Sequence, residues 1–221
     1  DAPYDVNFCF PVCELEDDRV LLTPFLPAVH AEPFFAATAP HPELYTYLPF
    51  GPFPSAAAFV SDLIAARIQP DPYSVLFAVF AKPPSADADA DADADGRATL
   101  AGMIGFLGTS PSNLSTELGF LLTLPRFQGA PGITPRAVRL LLRHAFSALR
   151  LRRVQWRAHV LNARSVRAAR RAGFRWEGVA RCERVLPQGK VGDGRGVPAG
   201  AEGEGPSRDT AVLGMGWDDW E

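Results

Sequence analysis

Seven segments of the chain carry the alternating, branched or aromatic residues that predict β-strands. In RVQWRAHV, at 153–160, every second residue is apolar, so this strand is expected to present two different faces. The predicted strands lie at 18–25, 75–81, 100–108, 116–123, 153–160, 174–187 and 208–217.

Four other segments predict helices, from apolar residues at three- and four-residue steps and from capping signals. Ser55, Thr134 and Asn162 are the expected N-caps of the last three, because a side-chain oxygen there accepts a free N–H of the first turn. Pro135 suits a first helical position and Gly173 a helix end. The predicted helices lie at 27–39, 56–68, 135–150 and 163–172.

The order of these elements predicts an α+β fold with a mixed, mostly antiparallel central sheet of about seven strands, flanked by about four helices. Residues 1–17 are expected to form an irregular arm, and 18–221 a single domain. Two segments lack core-forming residues, the Asp/Ala tract at about 83–97 and the glycine-rich stretch at about 189–206. Both are expected to be mobile loops.

The composition is that of an ordinary globular protein, with 47% hydrophobic and 21% charged residues. A net charge of −3 gives no general attraction to nucleic acid, and no segment has the roughly 18 apolar residues of a membrane span. Neither is therefore an expected partner. Cys9, Cys13 and Cys182 do not form a disulfide framework, and no zinc-ligand spacing is present, so we expect a cytoplasmic location and no metal.

A turn rich in glycine and proline, RFQGAPGIT at 126–134, precedes the third predicted helix. Such a turn presents free N–H groups at the positive end of a helix dipole, which is an arrangement that binds phosphate. The candidate residues are Gln128, Gly129, Ala130, Gly132, Ile133 and Thr134. The alternative is a turn that only joins a strand to a helix.

ELGFLL at 117–122, the glycine turn and LNARSVRAARRAGFRWEGVARCE at 161–183 together resemble the GNAT superfamily of N-acetyltransferases, especially its ribosomal-protein-alanine acetyltransferase branch. YLPFGPFPS and RDTAVLGMGWDDW extend the resemblance over most of 18–220. The turn departs from the family pattern, because Pro131 stands where glycine or alanine is usual, while a register at 129–134 lacks the basic residue. Both registers stay open.

The resemblance implies a sheet that splays at an acetyl-CoA site and an acetyl transfer to a primary amine by direct attack in a ternary complex. The amine belongs to a small molecule or to a protein N-terminus, and the enzyme is a monomer or a homodimer. The alternatives are a non-catalytic acyl-CoA-binding module and a protein-interaction module that has lost the coenzyme.

The resemblance also implies roles for particular residues. Glu117 matches the candidate general base, Ser165 a proton donor to the departing thiolate, and Asn162 a coenzyme contact. The backbone of one strand would bind the pantetheine amides, at Leu118, Phe120, Leu121 and Leu122. Structural alternatives are a surface ion pair for Glu117, an N-cap for Asn162 and an ordinary first-turn serine for Ser165.

The acceptor pocket is expected to use aromatic residues of the proline-rich loop and of the strand at 153–160. The candidates are Tyr45, Tyr47, Phe50, Trp156 and His159. His159 is a candidate base or substrate contact, and water is a further route for the proton. The aromatic residues have an alternative assignment as core residues.

Overall fold

The computed structural model describes residues 6–83, 98–129 and 132–220. Apart from Pro83, the predicted mobile loop at about 83–97 falls in the undescribed stretch 84–97, and Ala130 also lies outside the described residues. None of the helices in the described part is long and apolar enough to span a membrane.

In the described part of the chain, eight strands form one mixed sheet in the order β1-β2-β3-β4-β5-β6-β8-β7. The strands are β1 (Leu15–Glu16), β2 (Val20–Pro24), β3 (Val75–Ala81), β4 (Thr99–Ser110), β5 (Ser115–Thr123), β6 (Arg153–His159), β7 (Arg175–Val185) and β8 (Ser207–Gly216). All neighbours pair antiparallel except β5 and β6, so the predicted mixed sheet is confirmed. The additional strand, β1, lies within the arm predicted to be irregular, where it pairs with β2.

Helices occur in all four predicted places. They are α1 (Pro27–Thr38), α2 (Ala56–Phe59), α3 (Ile133–Arg143) and α4 (Ala163–Arg171), followed by a short terminal α5 (Trp217–Trp220). π-Helical segments at Val60–Ile68 and His144–Ala148 continue α2 and α3. Short 3-10 turns at Pro42–Tyr45 and Pro125–Phe127 lie in the connecting loops.

The predicted start of α3 is wrong by two residues. The N-cap is Gly132, whose φ of 99° is left-handed, and the helix begins at Ile133. Thr134 does not cap it, because its hydroxyl is hydrogen-bonded to that of Thr123 at 2.8 Å. Glycine adopts a left-handed φ without steric cost, which allows the earlier start.

Aromatic and branched side chains join the helices to the sheet in a hydrophobic core. Phe34 of α1 stacks on Phe59 of α2 with 5.2 Å between ring centroids, and Phe25 meets Phe59 edge to face. On α3, Val138 and Leu141 are buried, as their helical spacing predicts. These contacts hold the two ends of the central strands in place.

β5 separates from β6 near a β-bulge that lies between β5 and β4. Met103 pairs with Leu122 and Gly105 with Gly119, so two residues of β5 stand opposite one residue of β4. The pairing of β5 with β6 covers only Ser115 to Glu117, and Phe120 beyond it has a φ of 53°. The predicted splay between the parallel strands is therefore confirmed.

Candidate active site

The separated parts of β5 and β6 border a cavity of about 1380 Å³. The turn at 125–129, the start of α3, the start of α4 and the loop after α1 complete its walls. Candidate coenzyme-binding residues that line it are Leu118, Phe120, Leu121, Leu122, Gln128, Gly129, Thr134, Asn162 and Ser165. Candidate base and acceptor-binding residues that line it are Glu117, Tyr47, Phe50, Trp156 and His159.

Three predicted residues are placed differently. Tyr45 is 2% exposed and lies outside the cavity wall, because the 3-10 turn directs its ring into the core, where its hydroxyl donates to Thr38 Oγ1 at 3.0 Å. Ile133 is likewise a core residue, and Gly132 acts as the cap of α3 rather than lining the cavity. Tyr45 instead packs against Phe50, which does line the cavity.

Glu117 is half-buried at the point where β5 and β6 separate. Burial raises the pKa of its carboxyl to about 7, although the positive charges of Arg157 and Arg184 lower it. Its carboxylate makes no hydrogen bond or ion pair within the described part of the chain. A carboxyl with a pKa near neutral pH and a free lone pair is suited to accept a proton.

Three arginines, which the sequence analysis missed, line the cavity near Glu117: Arg157, Arg184 and Arg208. They surround Glu183, whose carboxylate oxygens lie 2.9 Å from Arg157 Nη2, 3.7 Å from Arg184 Nε and 3.9 Å from Arg208 Nη2. We refer to Glu117, Glu183 and these three arginines as the charged cluster. In the sequence, the alternation of β6 indicated a polar face that includes Arg157, but it did not indicate the other members of the charged cluster.

Strand register puts Glu117 and Trp156 on opposite faces of the sheet. Glu117 pairs with Gln155, so it shares a face with Arg157 and His159, while Trp156 points to the other side. Trp156 is 3% exposed, and its Nε1 donates to Ser165 Oγ at 2.9 Å. Trp156 therefore lines the cavity from the side of α4, on the other face of the sheet from Glu117.

Ser165 is held by two hydrogen bonds, one to the N-cap of α4 and one from β6. Its backbone N–H donates to Asn162 Oδ1 at 3.1 Å, which confirms Asn162 as the N-cap. Its hydroxyl oxygen accepts from Trp156 Nε1. Because the oxygen is the acceptor in that bond, the hydroxyl proton stays available for donation into the cavity.

His159 is held by both ring nitrogens. Nε2 lies 2.9 Å from the carbonyl of Val191 and must donate to it, while Nδ1 accepts from the N–H of Leu161 at 3.1 Å. Burial lowers the pKa of the ring, which favours this neutral form. His159 packs on Tyr47 at 5.2 Å between ring centroids and can contact a substrate, but it has no free lone pair for a proton.

The glycine turn leads into the N-terminus of α3 beside the cavity. Gly129 and Gly132 both have left-handed φ values, of 79° and 99°. Gln128 Nε2 donates to the carbonyl of Thr123 at 3.0 Å, which ties the turn to the end of β5. The first turn of this 11-residue helix leaves N–H groups without an intrahelical acceptor, although Pro135 has none to offer, and Thr134 of this turn lines the cavity.

Cys182, Asp193 and Asp209 bring three potential metal-ligand atoms within 4.8 Å of one another. Arg195 already forms ion pairs with both carboxylates. These ion pairs explain why the three groups lie together, because they join β7 and β8 to the glycine-rich stretch.

Comparisons with known proteins agree with this fold. The family model described as acetyltransferase (GNAT) domain matches residues 19–175. The solved structure of a probable acetyltransferase of the GNAT family from Chromobacterium violaceum ATCC 12472 is 27% identical with a TM-score of 0.74, over 100% of this chain and 94% of that one. A GCN5-related N-acetyltransferase from Brucella melitensis is also 27% identical with a TM-score of 0.74, over 94% and 80% of the two chains.

The ribosomal-protein-S5-alanine acetyltransferase from Vibrio fischeri shares the fold at 16% identity and a TM-score of 0.63, over 95% of this chain and 100% of that one. A search of curated proteins found no match. An α+β sheet that splays beside a glycine turn and a helix N-terminus is the architecture of an acetyltransferase. The chain belongs to the GNAT acetyltransferase family.

Proposed function

We propose that the protein transfers the acetyl group of acetyl-CoA to a primary amine of a small molecule or a protein N-terminus. The observation that carries the proposal is Glu117, a carboxyl with a pKa of about 7 and no partner among the described residues, in the cleft between β5 and β6. An α-amino group with a pKa near 8 is already partly neutral, so one such base suffices to activate it.

The walls of the cleft fit the coenzyme. Beyond Glu117, β5 pairs with no described residue on the side of β6, so its N–H and C=O groups are available to the amides of the pantetheine arm. The glycine turn and the N-terminus of α3 offer N–H donors and a positive dipole to the pyrophosphate. When bound, acetyl-CoA supplies an activated thioester.

The proposed roles of the side chains follow from their positions. The reaction forms a C–N bond and breaks a C–S bond, and it takes one proton from the amine and returns one to the departing sulfur. Glu117, directly or through water, takes the first proton. Ser165 supplies the second, with its oxygen held by the indole N–H of Trp156. β5 N–H groups next to the cleft stabilise negative charge on the carbonyl oxygen.

Direct attack is favoured over a covalent acyl-enzyme. None of the residues that the described part of the chain contributes to the cavity wall is a cysteine. Ser165 uses its oxygen as a hydrogen-bond acceptor and has no base beside it among its hydrogen-bond partners, so it is not activated as a nucleophile. The amine is therefore proposed to attack within a ternary complex.

Thermal unfolding with and without acetyl-CoA tests the binding half of this proposal. At 100 times its Kd, a ligand specific to the folded state adds about 2.7 kcal/mol, which raises the Tm of a domain of this size by roughly 5–10 °C. Gly132→Ala is expected to reduce the increase in Tm at a given concentration of acetyl-CoA. Its left-handed φ of 99° strains an L residue, and the new Cβ lies 3.2 Å from Arg136 Nε.

Gly196→Ala is the matched control, because this glycine has no positive φ and no atom within 4 Å of the added Cβ. Mass spectrometry of a panel of amines with acetyl-CoA then tests catalysis. The absence of any Tm shift at saturating acetyl-CoA would favour the protein-interaction module. A shift without acetylation of any amine would favour the non-catalytic acyl-CoA-binding module.

A further inference from the structure

The charged cluster has more positive than negative groups. Arg157, Arg184 and Arg208 face the carboxyls of Glu117 and Glu183, so three guanidinium groups exceed two carboxyls even when both carboxyls are ionised. The cluster lines a cavity rather than an open surface. A positive excess in a partly enclosed cleft attracts an anion.

Arg208 is the member of the cluster best placed to bind that anion. Its side chain is only 6% exposed and it lines the cavity. Nε donates to Thr210 Oγ1 at 3.0 Å, but Nη2 is 3.9 Å from Glu183, beyond hydrogen-bond distance. Neither terminal nitrogen has a hydrogen bond with a described residue.

The terminal nitrogens of Arg208 are therefore open to the cavity and not enclosed in the protein interior. A buried arginine normally uses most of its five N–H donors, and the two terminal nitrogens of Arg208 carry four of them. Nearby, Arg157 Nε is buried and has no hydrogen-bond partner among the residues that the structure describes. Burial and the neighbouring Arg184 both lower the pKa of Arg208, so its charged form would gain from a bound anion. A planar carboxylate offers two acceptor oxygens to such a fork.

The position of the cluster separates it from the proposed coenzyme phosphates. Register places Arg157 on the face of Glu117, and Thr210, opposite His159, continues that face toward Arg208. The glycine turn and the start of α3 lie at the far end of β5, whereas the cluster lies beside its Glu117 end. An anion bound by the cluster would therefore belong to the acceptor and not to the coenzyme phosphates.

We propose that the acceptor is a primary amine that also carries a carboxylate, bound by the terminal nitrogens of Arg208 together with Arg157 while the amine faces Glu117. This inference rests on the proposed function and defines its acceptor class. A free amino acid and a peptide with an acidic side chain next to its N-terminus both present this chemistry.

Matched substrates test the proposal. With acetyl-CoA, the rates for free amino acids are compared with those for their carboxamides, and peptides that begin with alanine followed by glutamate are compared with those followed by glutamine. The acid of the accepted pair is expected to have a kcat/KM at least about tenfold above that of its neutral partner, because a charge-assisted hydrogen bond is lost in the neutral one. The pair that is acetylated shows whether the carboxylate belongs to a free amino acid or to the side chain of a peptide.

Arg208→Gln is expected to raise the KM for the acid about tenfold or more and to bring the acid-to-amide ratio close to one. Arg208→Lys should retain part of the preference, because it keeps the charge without the planar fork. Arg181→Gln removes an arginine from an exposed position of β7 away from the cavity and should keep the ratio of the wild type. Equal rates for acids and amides, or a preference for amides, would overturn the inference.

Calorimetric titration with N-acetyl amino acids and their amides provides a readout that does not need turnover. The acids are expected to bind the wild-type protein more tightly than the amides, and Arg208→Gln should remove the difference. Selective binding without acetylation of any amine would reject the proposed function and keep the anion site. Acetylation of amines without any preference for acids would keep the proposed function and reject the anion site.

Discussion

The carboxyl of Glu117 has a pKa of about 7 because burial opposes its negative charge more strongly than the neighbouring arginines favour it. At this value, the carboxylate and the carboxylic acid are both populated near neutral pH. A group in that state can accept a proton from the amine and release it again in each turnover. The chemistry of this residue therefore depends on its surroundings more than on its type.

Glu117→Gln is expected to lower kcat/KM by roughly 10²–10⁴, the usual contribution of general base catalysis. In the wild type, kcat/KM should rise with pH through about 7 as the carboxyl loses its proton. The variant should lack this step. The titration of the amine itself is common to both proteins, so it cancels when the ratio of the two pH profiles is plotted.

Glu32→Gln is the control for this measurement, because it replaces an exposed glutamate on α1 with the same change in charge. Its pH profile should match that of the wild type. A Glu117→Gln variant with a wild-type rate and profile would assign proton removal to water or to another group.

Among the elements, α4 and β6 act together because the first turn of the helix is bonded to the strand. Trp156 of β6 donates to Ser165 of α4, and Asn162 caps the same turn. The indole ring also meets Phe174, just after the helix, edge to face at 5.5 Å. The geometry of the proposed proton donor is therefore set by a helix cap and a buried aromatic residue.

Ser165→Ala is expected to lower kcat by about tenfold or more, with little change in the KM for acetyl-CoA, because the departing sulfur loses its proton donor. The free energy of unfolding should also fall by about 1–3 kcal/mol, since the buried indole N–H loses its acceptor. Steady-state kinetics and thermal unfolding measure the two effects.

Ser112→Ala, in the exposed turn between β4 and β5, is the matched control and should change neither quantity. If Ser165→Ala loses stability but keeps the kcat of the wild type, the serine has a purely structural role.

For the whole molecule, the raised pKa of Glu117 makes stability depend on pH. The carboxyl has a pKa of about 7 when folded, against 4.5 for an unperturbed glutamate, so the folded state binds more protons between these values. The free energy of unfolding therefore falls as pH rises from about 4.5 to above 7, by up to roughly 3 kcal/mol. The loss is complete above the folded pKa.

Glu117→Gln removes this titration. The Tm of the variant is expected to increase relative to that of the wild type as pH rises. The difference between the two Tm values should be smallest near pH 5 and largest near pH 8. Thermal unfolding across this range measures the difference, and Glu32→Gln should follow the wild type. A difference that stays constant with pH would contradict the raised pKa. A gain in stability combined with a loss of activity is typical of catalytic residues.

Local sequence signals predicted seven of the strands, the first four helices and their order. Residue period, helix caps and turns are local properties, so these elements were predictable from neighbouring residues, whereas β1 and α5 were not predicted. Ordered motifs from Glu117 to Glu183 were enough to indicate the family, which the match over 19–175 then established. The local prediction was wrong where two signals competed, at Thr134 and Gly132.

Only the tertiary structure decided the electrostatics of the candidate site. In the sheet, β8 lies between β6 and β7, which brings Arg208 beside Arg157 and Arg184 although the chain separates them widely. The face of the sheet that Trp156 occupies also depends on the pairing of β6 with β5 and β8, and the turn that holds Tyr45 is bonded through its carbonyl to Lys190. Strand pairing and burial are non-local, because they arise between segments that no sequence period connects.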